Sequence, residues 1–128
     1  MIASINGRIR LLTEGSCSYA MIDIDRNDVP LFLSYITALE LHRIGVLTVT
    51  DGKNRLHLRR DHGLHFELCG DTAKLESRFS DLQVEAIKCC YVDAILGPCL
   101  HYDHINLEFP ECDLTFGITP APHVGGRS

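Results

Sequence analysis

A chain of 128 residues sets the expectation of one domain, long enough to bury roughly two-thirds of the surface its unfolded form would expose. Hydrophobic residues make up 45% and charged residues 23%, a balance that argues against long disordered tracts. The formal charge of −5 opposes nonspecific binding to nucleic acid or to an anionic membrane, which are held mainly through Lys and Arg, and no apolar run approaches the roughly 20 residues of a membrane span.

Ile5, Ile9 and Leu11 alternate with Asn6, Arg8 and Arg10, and Cys17, Tyr19 and Met21 alternate with Ser18 and Ala20. Two half-buried strands joined around residues 13–16 are therefore predicted, with Tyr19 and Met21 in the apolar set. Asn27 or Asp28 caps a helix near residues 28–43. Pro30 sits in its first turn, Phe32, Tyr35 or Ile36, and Leu39 recur at helical spacing, and Gly45 is the stop after Arg43. Residues 46–50 read as a third strand ended by Asp51 and Gly52.

The next hairpin is registered by parity. Leu56 and Leu58 share a face with Leu64, Phe66 and Leu68, and opposed residues of an antiparallel pair lie on one face, so the loop must have an odd length. Asp61, His62 and Gly63 fit. Arg59 then opposes His65 and His57 opposes Glu67, a salt-bridged outward face beside Cys69. Asp71 or Thr72 is expected to cap a short second helix with Leu75, Phe79 and Leu82 on one side. Residues 83–98 suit either a helix, through Val84, Ile87 and Tyr91, or a buried strand through residues 89–92. A last hairpin sets Ile105, Leu107 and Phe109 against Leu114, Phe116 and Ile118 across a four-residue loop at 110–113, with Phe109 opposite Leu114. The expected fold is α+β: a mostly antiparallel sheet of six to seven strands carrying two helices, a single domain over residues 1–118 with a flexible tail at 119–128.

Six cysteines could make three disulfides, but the first ten residues alternate polar and apolar types instead of forming the apolar core of a secretion signal. A reducing, cytoplasmic compartment with unbridged thiols follows. Cys99, His101, His104 and Cys112 are the most metal-like group, yet strand parity sets Cys99 and His101 opposite to His104 and Cys112, unlike a closed four-ligand site. No metal and no cofactor are expected, nor is a phosphate-binding glycine loop present. A cysteine nucleophile needs an electropositive surrounding, which this segment lacks.

That lack is general: residues 89–126 hold Asp93, Asp103, Glu108, Glu111 and Asp113 but neither Lys nor Arg, while Lys53, Arg55, Arg59 and Arg60 cluster elsewhere. An acid-only third suits a basic protein partner. Within it, Gly97-Pro98, the run His101-Tyr102-Asp103-His104-Ile105-Asn106-Leu107-Glu108-Phe109 and a closing Asp113-Leu114-Thr115-Phe116 resemble the C-terminal hairpin of small bacterial immunity proteins. Those proteins accompany polymorphic toxins, contact-dependent growth inhibition systems included, and share no catalytic residues. The resemblance implies stoichiometric neutralisation of a basic toxin domain, often a nuclease. Tyr102, Asp103, His104, Glu108, Glu111 and Asp113 would form the docking surface, with Asp23, Asp25 and Asp28 as a second acidic patch. The alternative is a small metal- or cysteine-dependent enzyme built on Cys99, His101, Asp103 and His104.

Overall fold

Alternating apolar positions separated by turn formers build most of the chain into strands. The computed structural model describes residues 2–14, 17–60, 63–70, 74–96, 104–110 and 112–119. In chain order these form β1 (Ile2–Glu14), β2 (Cys17–Asp25), a 3-10 turn (Arg26–Asp28), α1 (Val29–Glu40), β3 (Val46–Thr50), β4 (Arg55–Arg60), β5 (Leu64–Cys69), β6 (Lys74–Arg78), α2 (Asp81–Leu96), β7 (His104–Glu108) and β8 (Asp113–Thr119).

One eight-stranded sheet runs in the order β6-β5-β4-β3-β1-β2-β8-β7. Among the described strands only β1 with β3 and β2 with β8 pair in parallel, and parallel neighbours need long connections, which the two helices help to supply. Both helices lie on the same sheet face. Val29, Phe32, Ile36 and Leu39 of α1 and Val84, Ile87, Tyr91 and Ala94 of α2 are buried against Ile9, Ile22, Leu47, Leu58 and Phe116. Register keeps these sheet residues on one side: Ile9 opposes Ile22, Ile22 opposes Phe116 and Leu47 opposes Leu58. The sheet curls around this core. Phe66 of β5 meets Phe109, beyond β7, with ring centroids 5.0 Å apart, and Phe79 touches Phe66, Phe109 and Phe116, so strands far apart in the sheet share one aromatic cluster.

The α+β class with two helices and a mostly antiparallel sheet agrees with the sequence reading, but the sheet has eight strands where six to seven were expected. The added strand is β6. Leu75 and Phe79 fit a helical stripe, yet residues 74–78 form a short charged edge strand beside β5, as edges commonly do; Asp71 and Thr72 lie outside the described residues. The second helix is instead the ambiguous stretch, where the spacing of Val84, Ile87 and Tyr91 prevails over the cysteine-rich run.

Three local expectations change. In β2 the core face belongs to Ala20, Ile22 and Ile24, all fully buried, and leaves Tyr19 and Met21 half-buried on the other side. At the end of α1 the chain does not wait for Gly45: His42 takes a left-handed φ of 58°. The Arg43 and His42 amides donate to the Ala38 and Leu39 carbonyls, the Schellman pattern. In the last hairpin Leu107 opposes Leu114 and Ile105 opposes Phe116, a register offset by two from the expected one, with the four-residue loop moved to 109–112. The exposed and buried faces are unchanged, because a shift of two keeps parity.

Candidate functional site

With the helices on one face, the other face of the sheet is the broad accessible surface. Its composition follows from register, since residues paired across the strands project to the same side. On β3 to β6 it carries Thr48, Arg55, His57, Arg59, His65, Glu67, Cys69, Lys74, Glu76 and Arg78, and on β2, β8 and β7 it carries Tyr19, Met21, Asp113, Thr115, His104, Asn106 and Glu108. Arg8 and Arg10 of β1 lie between, opposite Asp23 and Met21.

At the β2–β8–β7 end, Tyr19, Met21, His104, Asn106, Glu108, Asp113 and Thr115 line a groove of about 450 Å³. Asp113 stands between Tyr19 on one side and Glu108 on the other. Both carboxylates are exposed, and neither forms an ion pair with another described residue. Thr115 donates its hydroxyl hydrogen to Asn106, fixing the groove floor.

The structure thus gathers His104, Glu108 and Asp113 as the sequence suggested. Tyr19 and Met21 were not singled out, because the β2–β8 pairing that brings them to the groove links residues almost a whole chain apart; Asn106 and Thr115 join it across the local β7–β8 hairpin. Tyr102, Asp103 and Glu111 lie outside the described residues. The second acidic set divides. Asp23 is only 4% exposed, which removes it from a docking surface. Asp25 accepts a hydrogen bond from the Asn27 amide, capping the 3-10 turn. Asp25 and Asp28 line a separate cleft of about 640 Å³ with Arg8 and Asp51. In that cleft Asp51 accepts from the Lys53 and Asn54 amides at 2.8 and 2.6 Å. Burial pushes its carboxyl up, but these hydrogen bonds outweigh it and hold the group below its ordinary value.

Of the four metal-like residues, Cys99 and His101 lie outside the described residues. His104 is exposed on the outer face, whereas Cys112 is 5% exposed and belongs to the core, so these two do not converge. His104 also borders a pocket of about 410 Å³ with Cys89, Cys90 and Asp93. None of Cys69, Cys89, Cys90 and Cys112 is bridged.

On the opposite half of the face the expected pairs are present: Arg59 opposes His65 and His57 opposes Glu67. Glu67 is bound by Lys74 at 3.1 Å, with Arg59 at 3.8 Å; the Lys74 hydrogen bond is the main reason its carboxyl lies below the usual range, against the opposing pull of burial. His57 shares a 2.9 Å hydrogen bond through Nδ1 with Thr48 Oγ1. Burial first, and Arg59 second, lower its pKa despite Glu67, so the imidazole is neutral at pH 7.

Among the described residues no helix is long and apolar enough to cross a membrane. The chain matches no family model, no curated protein and no solved structure.

Proposed function

We propose that the chain is an immunity-type binding protein that neutralises a basic toxin domain by occupying that domain's substrate face, a nuclease being the expected kind. The observation that carries this reading is the exposed Glu108–Asp113 cross-strand pair. Like charges placed directly opposite weaken a sheet by up to about 1 kcal/mol. A cationic partner removes that repulsion on binding, and complementary charge speeds encounter and selects the partner. Tyr19 and Met21 line the same groove and supply the aromatic and adaptable apolar contacts on which interface affinity concentrates. Arg8 and Arg10 stand beside the groove, so the partner's cations are directed to the β7–β8 side.

The test is the triple variant Glu108→Lys, Glu111→Lys and Asp113→Lys, assayed for growth protection and for binding to the cognate basic toxin domain. Because the reversed pair repeats the original repulsion, melting should hold within about 1 kcal/mol while protection and association rate collapse. Full protection with an unchanged association rate would sink the proposal.

A further inference from the structure

The other half of the outer face contains a group whose chemistry the docking groove does not use. His57, Glu67 and Cys69 each offer one donor atom, and the three atoms lie within 4.8 Å of one another. We infer that this trio is a binding site for a thiophilic divalent cation, zinc being the ion its donors suit, with a water in the fourth position.

Four observations point the same way. The donors come from neighbouring strands, His57 on β4 directly opposite Glu67 on β5, with Cys69 two residues on along the same face, so the sheet ladder holds them in place. An imidazole, a carboxylate and a thiolate together form a ligand set typical of zinc, and three protein ligands leave one position open. Ligand atoms about 2.0–2.3 Å from a tetrahedral zinc lie roughly 3.3–3.7 Å apart, so closure asks for side-chain rotations of about an ångström and no backbone movement. Thr48 engages Nδ1 of His57 at 2.9 Å; Nε2 is therefore the ligating nitrogen, and the outer hydrogen bond that orients a metal-bound histidine is already made.

The opposing effect is the local positive charge of Arg55, Arg59 and Lys74. Arg59 and Lys74 are 43% and 62% exposed and can swing into solvent. Exposed ion pairs contribute little, whereas zinc held by protein ligands contributes far more. Oε2 of Glu67 lies 3.1 Å from Lys74 Nζ, and Oε1 lies 3.8 Å from Arg59. Oε1 is therefore the oxygen that turns to the metal, and Oε2 keeps its lysine. On binding, the Cys69 thiol releases one proton to solvent and its sulfur lone pair forms the metal bond.

The experiment titrates the purified, reduced chain with Co²⁺ as a spectroscopic probe and then with Zn²⁺. The expected result is one equivalent of Co²⁺ bound with a thiolate-to-metal charge-transfer band, displaced by Zn²⁺. Cys69→Ser should abolish the band, and His57→Ala and Glu67→Gln should each weaken binding at least tenfold. Thr48→Val, acting only through His57, should weaken it by about tenfold, and Cys89→Ser should change nothing. Because a variant could fail to fold, the His57 ring resonances of the unaltered chain are followed by NMR during the Zn²⁺ titration. Unmoved His57 resonances, or a charge-transfer band that survives in folded Cys69→Ser, would overturn the assignment.

Discussion

Gly7 sits where β1 is squeezed by its two neighbours: a Cβ there would lie 2.7 Å from Val49 Cγ1 and 2.9 Å from the Asp23 carbonyl oxygen. The carbonyl belongs to a paired strand and cannot yield, so the absent side chain is a packing requirement. Gly7→Ala should cost about 1–3 kcal/mol, read as a lower denaturant midpoint at unchanged slope. Tyr91 is the opposite case, a side chain that the fold cannot shorten. It is fully buried, stands edge-on to Phe32 at 5.1 Å and donates its hydroxyl hydrogen to the Gly117 carbonyl at 2.8 Å, tying α2 to β8. Tyr91→Phe leaves that carbonyl short of a partner and should cost about 1–2 kcal/mol. Asp51 makes stability depend on pH. Its carboxyl lies below its ordinary value of 3.8, so the stabilisation it gives is fully present above that value and is lost as pH falls through the lower folded one. Melting curves of the parent chain and Asp51→Ala should therefore differ most above about pH 5 and converge toward about pH 2.

Capping chemistry decides where α2 begins. Ser80 Oγ accepts from the Gln83 amide at 3.1 Å, and Gln83 Oε1 accepts from the Ser80 amide at 2.8 Å, a reciprocal capping box. Ser80→Ala should remove about 1 kcal/mol, and His42→Gly, which relieves the left-handed φ at the end of α1, should add up to about 1 kcal/mol; thermal melts of the two variants should shift in opposite directions. The Ser-x-x-Gln spacing at residues 80–83 was legible in the chain, and it outweighs the Leu75–Phe79–Leu82 spacing that suggested an earlier helix. Where alternation is strict, as in β4 and β5, sequence parity yields the observed register, His57 against Glu67 included. Where two even loops satisfy the same parity, as at residues 109–112, it fixes the face but not the offset. The parallel β2–β8 pairing has no local signal, because its contacts depend on the core formed between them. Hence His104, Glu108 and Asp113 could be read as one acidic edge, whereas Tyr19 and Met21 beside them could not.

Across the whole molecule, the curled sheet spends its inner face on two helices and presents an outer face divided by charge. Arg55, Arg59, Lys74 and Arg78 outnumber Glu67 and Glu76 toward one end, and Glu108 and Asp113 lie toward the other. A surface serving only solubility would mix these signs along each strand pair, since opposite charges placed across a ladder stabilise it. The β4–β5–β6 end also sets two acids opposite each other, Glu67 and Glu76, but there Lys74 and Arg59 engage Glu67; no described cation relieves Glu108 and Asp113 in the same way. This contrast yields a prediction that separates a docking surface from a solubilising one. Glu108→Lys places opposite charges across the ladder from Asp113 and should raise stability by a few tenths to about 1 kcal/mol, a rise of a few degrees or less in melting temperature for a chain of this size. The same change sets a cation in the path of a basic partner, so association should slow and binding should lose its dependence on salt, because attraction between exposed charges is screened beyond about 8 Å at physiological ionic strength. Melting curves and association rates at low and high salt measure both effects on one protein. A variant that melts higher and binds more slowly marks the Glu108–Asp113 pair as a feature kept for its partner; one that melts higher and binds as fast as the parent chain places the docking surface elsewhere.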